Sequence, residues 1–209
     1  FGIVPMQGHE LVANQPEADL AVCGPLARSA DDLKLALSIM AGPAEREALG
    51  WTLNLPAADK TKLRDFRVAV WATDPMAPVA REVEERSLQV GAMLERLGAR
   101  VSYTARPNFD LEKATINYQT LLNSVMTAAW DDQTVSQMQT KVAALEATDL
   151  SRDAVNARAA VLSHREWIRA NSRREKLRHA WADFFKDWDI LVCPQMATEA
   201  FSHDHRPFN

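Results

Sequence analysis

The sequence predicts an α/β protein, a short parallel sheet of about three strands with many flanking helices. Three observations lead there. Phe66–Ala72 and Arg100–Thr104 are short runs rich in branched and aromatic residues, with a helical pattern between them. Strand, helix and strand over about 40 residues make a βαβ unit, whose strands lie parallel with a right-handed crossover. From about residue 110 to 187 apolar residues recur at helical spacing. Ile190–Pro194, an apolar run bounded by Asp189 and Pro194, then reads as a buried strand on the other side of Phe66–Ala72.

The elements follow in order. Residues 1–28 carry Pro5, Gly8, Pro16, Gly24 and Pro25 and read as an extended arm with turns, with a short strand at Gly2–Val4. A helix follows at about 29–41. Ser29 is placed to cap it, and Asp31 and Asp32 put negative charge at the positive end of its dipole. Leu33, Ala36, Leu37 and Met40 share one face. Gly42 suits a left-handed cap, and Pro43 stops the helix. Residues 42–65 are a long connector with a helical turn near Lys60–Asp65. Asp74, Pro75 and Pro78 open the helix of the βαβ unit. Its buried stripe is Val79, Val83, Val90, Leu94 and Leu97, with Met93 beside it, and Gly98 ends it. Three helices come next, at about 110–130, about 133–147 and about 151–187. The last is the longest and starts at Ser151 with Asp153 nearby. Its basic run, Arg173, Arg174, Lys176 and Arg178, shares the helix with Glu166, Glu175 and Asp183 and reads as a solvated face. The whole reads as one domain over 1–209. Its parts are an arm plus helix (1–65), a βαβ unit (66–104), a helical region (110–187), a strand (190–194) and a loop or tail (195–209).

Composition narrows the function classes. The 209 residues are 47% hydrophobic and 25% charged, as in ordinary globular proteins. A net charge of −4 gives no electrostatic reason to expect nucleic acid or an anionic membrane. No apolar run approaches the ~20 residues of a membrane span. Cys23 and Cys193 lie in apolar surroundings and read as reduced core residues of a cytoplasmic protein. The chain opens with Phe and carries no basic-then-apolar leader, which fits a processed, truncated or excised chain.

Several strings together resemble a known family. Gly24-Pro25-Leu26-Ala27-Arg28-Ser29, Asp32-Leu33 and Met40-Ala41-Gly42-Pro43 fall in the order found after the catalytic core of the amidase signature family. Phe1–Gly8, Asp19–Cys23, Trp51–Pro56, Phe66–Trp71 and Ile190–Pro194 fit the same register. The resemblance implies a partial amidase-signature fold belonging to an enzyme that hydrolyses a carboxylic amide to acid and ammonia or amine, without metal or organic cofactor. That family uses a Ser–cis-Ser–Lys triad, in which lysine is the base that activates the nucleophilic serine. It also uses a Gly/Ser-rich oxyanion loop. The chain has 7 Gly, no Gly-Ser-Ser run and no Ser-x-x-Lys. No catalytic residue is therefore assigned to it. The expectation is a segment that shapes the substrate side. The alternatives are a stand-alone binding module descended from an amidase, or a half-enzyme completed by another chain.

The resemblance also implies where substrate is met. Tyr118, Leu122, Val125 and Met126, on the helix after the βαβ unit, are candidates for the acyl side, with ordinary core as the competing reading. Pro194, Gln195 and Met196 sit at the end of a parallel strand, where ligands of open α/β sheets bind. His203-Asp204-His205 places two imidazoles on one side of an extended segment, but no third ligand stands at metal-binding spacing. Cys193 with His203 is set aside as a thiol–imidazole pair, because a cysteine within a strand is ordinarily packing. His164 and His179 read as solvated. A three-stranded sheet would leave one edge and part of a face uncovered, so a homodimer is expected to bury them.

Overall fold

The computed structural model describes residues 2–9 and 20–205, and the chain divides into two compact units, Phe1–Ala58 and Asp59–Asn209. The parts of the expected arm at 10–19 and of the tail at 206–209 lie outside the described residues.

In the first unit, α1 (Ala30–Met40) forms where expected. The Ser29 hydroxyl accepts the Asp32 N–H at 3.1 Å, and Asp31 and Asp32 occupy the first turn. The C-terminus differs. Ala41 is extended and its N–H closes on Leu37, while Gly42 has φ +151 and donates to the Ile3 carbonyl at 2.9 Å. Glycine is needed there because side-chain-bearing residues avoid that conformation, although it is not the left-handed cap. On the expected apolar face, Ala36 and Leu37 are half-buried, while Leu33 and Met40 are each 38% exposed. Gly2–Val4 forms no strand.

The second unit holds the sheet. A 3-10 turn at Leu63–Asp65 leads into β1 (Arg67–Val70). There follow α2 (Arg81–Arg96), β2 (Arg100–Ser102), α3 (Leu111–Met126), α4 (Asp132–Ala143), α5 (Arg152–Ala160), α6 (His164–Asp187) and β3 (Ile190–Val192). The strand order is β2-β1-β3, all parallel, with Arg67 opposite Arg100 and Val68 opposite Ile190. Val68, Ala69 and Val70 are buried on both faces, the near-continuous apolar pattern of a central parallel strand. Val68, Val70, Ala72 and Ala99 form one core cluster, packed by Leu94, Tyr103, Ile190 and Val192.

The start of the sheet is held by a three-ion contact. Asp189 accepts the main-chain N–H of Arg67 at 2.8 Å, its Nη2 at 2.9 Å and the ammonium of Lys60 at 2.6 Å. The Arg67 hydrogen bonds and then Lys60 hold the Asp189 carboxyl far below the usual carboxylate range.

The helix α2 begins at Arg81, later than the prolines suggest, and ends on Gly98 as expected. Gly98 at φ +98 donates to Glu95 and Ala99 donates to Leu94, the paired bonds of a Schellman cap. Val83, Val90 and Leu94 turn inward, whereas Met93 and Leu97 are exposed. The fully buried positions are Ser87 and Gly91. Ser87 satisfies its hydroxyl on the Val83 carbonyl at 3.0 Å. Gly91 lets the helix approach Val70 and Tyr103.

The expected helix over 151–187 is two helices. Ser163 begins a new one with a capping box: its hydroxyl accepts the Glu166 N–H, and the Glu166 carboxylate accepts the Ser163 N–H. Leu121 of α3, Ala154, Ala157 and Ala159 of α5, and Ala170 and Phe184 of α6 are buried, and α3 packs on both α5 and α6. Small residues along α5 allow that close approach. Buried Asn117 is satisfied by donating to Ala170 O at 3.1 Å and accepting from Arg173 Nε at 2.8 Å. Arg173 therefore contributes to this clamp rather than only to a solvated face.

Candidate functional site

Beyond the carboxyl ends of β1 and β3 lies a cleft of about 300 Å3. Such crevices are where ligands of parallel sheets bind. Its construction follows from short-range bonds. Trp71 continues β1 and donates its main-chain N–H to Val192 O at 2.8 Å. Its indole N–H donates to Asp74 Oδ2 at 3.2 Å, while Asp74 Oδ1 accepts the Met76 N–H at 2.9 Å. Arg106 lies over the Trp71 ring, 4.9 Å from its centre, and donates to the Val70 carbonyl at 3.2 Å. Burial draws the Arg106 guanidinium below its ordinary pKa, and nearby Asp74 opposes the shift. Ala80 N–H donates to Ala197 O at 2.7 Å, which ties the loop after β1 to the loop after β3.

Pro194, Gln195 and Met196, which follow the end of β3, are among the residues lining this cleft. Tyr118, Leu122, Val125 and Met126 are not. The helix α3 touches the cleft through Leu111 in its first turn, and the four lie seven to fifteen residues further along. At 1.5 Å per residue that is about 10–22 Å away. Tyr118 and Met126 are exposed, 54% and 70%, and Leu122 and Val125 are half-buried.

Cys193 differs from its expected core position. β3 stops at Val192, so the thiol falls just past the strand, exposed, on the cleft wall. Cys23 is half-buried, 3.3 Å from Met6 Sδ, and both cysteines are free thiols. His203 and His205 stack with ring centres 5.9 Å apart. No group of three or more His, Cys, Asp or Glu residues suited to a metal occurs among the described residues.

The residues lining the cleft are largely apolar, with Thr73, Asp74 and Gln195 the polar ones. Ser163 touches Glu166 at 2.6 Å, but that contact belongs to a helix cap. The geometry is that of a small, largely apolar crevice. Trp71, Asp74 and Leu111 were missed in the sequence. The available signal was a tryptophan closing a strand with an aspartate three residues later.

The sequence matches the family described as Amidase over residues 1–207. The chain belongs to the amidase family. Among curated relatives of this amidase-family chain, an indoleacetamide hydrolase of Bradyrhizobium japonicum is 25% identical over 173 residues, 82% of this chain and 35% of that protein. An indoleacetamide hydrolase of Bradyrhizobium diazoefficiens is 25% identical over 175 residues, again 82% of this chain and 31% of that protein. A glutamyl-tRNA(Gln) amidotransferase subunit of Saccharolobus solfataricus is 33% identical over 102 residues, 46% of this chain and 20% of that protein. This amidase-family chain thus aligns with about a third or less of the length of these curated relatives. Among the described residues no helix is long and apolar enough to cross a membrane.

Proposed function

We propose that this chain is the substrate-side part of a larger, cytoplasmic amidase that hydrolyses a carboxylic amide to an acid and ammonia or an amine. The cleft beyond β1 and β3 receives the organic group of the substrate, and residues outside this chain supply the nucleophile and base. The cleft carries the reading: a small apolar crevice at the ends of parallel strands with a few convergent polar groups. The names of the two Bradyrhizobium relatives support an arylacetamide as the substrate class. Trp71, Leu111 and Met196 suit a flat aromatic group. Tyr118, Leu122, Val125 and Met126 are kept as a second set of contacts for an acyl group that extends along α3.

Two measurements test this. The isolated chain is expected to turn over no simple amide above a mock-purified control. Turnover abolished by mutating a residue of this chain would refute the absence of catalytic groups. In the second, indoleacetamide titrated into the chain should shift the amide resonances of Thr73, Gln195 and Met196. Met196→Asp should weaken binding about tenfold, the scale of placing a charge against an apolar ligand. Shifts confined to residues outside the cleft would overturn the site.

The Saccharolobus relative is by name one component of a multi-chain enzyme, which favours one other reading, a half-enzyme completed by another chain. That reading requires amide hydrolysis to appear when a chain supplying the serine and lysine is added. A homodimer that covers the open sheet edge is also inferred.

A further inference from the structure

We propose that Cys23 and Met6 form a two-sulfur site for a soft monovalent cation of the Cu(I) class. The Cys23 thiol donates to Met6 Sδ at 3.3 Å, and both side chains are half-buried. A metal–sulfur bond is about 2.3 Å, so two sulfurs up to about 4.6 Å apart can share one ion. Both residues line a cavity of about 470 Å3 within the first unit, which leaves room for the ion and a further small ligand.

The unit holds Met6 by main-chain bonds on each side of it. Before it, the Ile3 carbonyl accepts the Gly42 N–H at 2.9 Å. After it, Gln7 Oε1 accepts the Glu45 N–H at 2.9 Å. The Met6 carbonyl itself accepts the His9 N–H at 2.9 Å. The backbone is thus fixed while the unbranched thioether stays free to turn, so the two sulfurs can open around an ion without moving the chain.

The donor set selects the ion. Thiolate and thioether are soft ligands that prefer Cu(I) to cations suited by oxygen. On binding, the Cys23 thiol releases its proton to water and the thiolate supplies one negative charge. That charge cancels the single positive charge of the ion, and a neutral pair suits a lining that includes Val4, Leu37 and Trp51. Glu47 is the other ionisable lining residue; it is exposed and lies 3.9 Å from Arg46. Zinc takes four donors, and among the described residues no group of three or more His, Cys, Asp or Glu offers them. The site lies apart from the cleft beyond β1 and β3, and the inference does not rest on the amidase reading.

Anaerobic titration of the full chain with Cu(I) against a colorimetric chelator tests it, with circular dichroism to confirm folding. Cys193→Ser removes the other free thiol, and this parent should bind one equivalent of Cu(I). Adding Cys23→Ser should weaken binding at least about 100-fold. Adding Met6→Leu, which keeps the volume and removes the sulfur, should weaken it about tenfold. Zinc should bind the parent at least about 100-fold more weakly than Cu(I). Three results would overturn the site: no stoichiometric Cu(I) on the Cys193→Ser chain, Met6→Leu binding as tightly as its parent, or zinc binding as tightly as Cu(I). If the Cys23→Ser chain does not fold, Met6→Leu alone decides.

Discussion

Asp189→Ala is expected to destabilise the second unit by about 2 kcal/mol, read as a lower midpoint in urea. Removing one member of a buried ion pair costs about 3–5 kcal/mol, and an exposed pair is worth about 0–1. The Asp189 side chain is 18% exposed and its cations 26% and 29%, which sets the value between those limits. The substitution leaves Lys60, the Arg67 guanidinium and the Arg67 main-chain N–H without their shared acceptor. The same contact fixes a pH dependence. The folded pKa of Asp189 lies below its unfolded value of about 4. The unfolded state therefore binds the proton first as pH falls. The contribution of Asp189 is complete above that value and is lost progressively below it. Asp189→Asn should flatten the acid limb of stability against pH below about 4 relative to wild type. Wild type and variant losing stability in parallel over that range would contradict the assignment.

Gly91→Ala is expected to cost about 1–3 kcal/mol despite the better helix propensity of alanine. A Cβ at position 91 would stand 2.9 Å from Val70 Cγ2 and 2.9 Å from Tyr103 Cε1. Tyr103 is half-buried and its ring end can swing. Val70 is 1% exposed on the central strand, with a branched side chain that has no room to turn. The helix α2 must therefore lift from the sheet. Gly91→Val should cost more still, and thermal melts of the pair give the order. A Gly91→Ala protein as stable as wild type would show that α2 yields freely.

The strands, their parallel order and α1 with its Ser29 cap were legible because each rests on a local pattern: apolar runs, a capping hydroxyl, early aspartates. The capping box at Ser163 was equally local and still went unread, because apolar spacing carries through the break from Val155 to Trp167. Gly91 could not be read, since a glycine within a helix takes its meaning from what approaches it, here Val70 of a strand twenty-one positions earlier. The same holds for the cleft. Pro194, Gln195 and Met196 followed from position at a strand end. Trp71 and Asp74 needed the bond between them, and Leu111 needed the docking of α3. Tyr118, Leu122, Val125 and Met126 came with a family resemblance, and the fold sets them well along α3 from that cleft.

The pairing of β1 with both neighbours has a consequence for the growing chain. β1 meets β2 across a βαβ unit of about 40 residues, a local closure available early in synthesis. The other side of β1 waits for Asp189 and β3, 122 positions after Arg67. The entropy of closing the longer loop exceeds that of the shorter by only about 1 kcal/mol. The greater difference is one of time, because at about 5–20 residues per second several seconds pass between the emergence of the two strands. During that interval Val68 and Val70 have their α2 side within reach while the far edge of the strand carries open N–H and C=O groups. Nascent chains of this protein are thus most vulnerable to strand-on-strand mispairing in a window that closes only with Ile190–Val192.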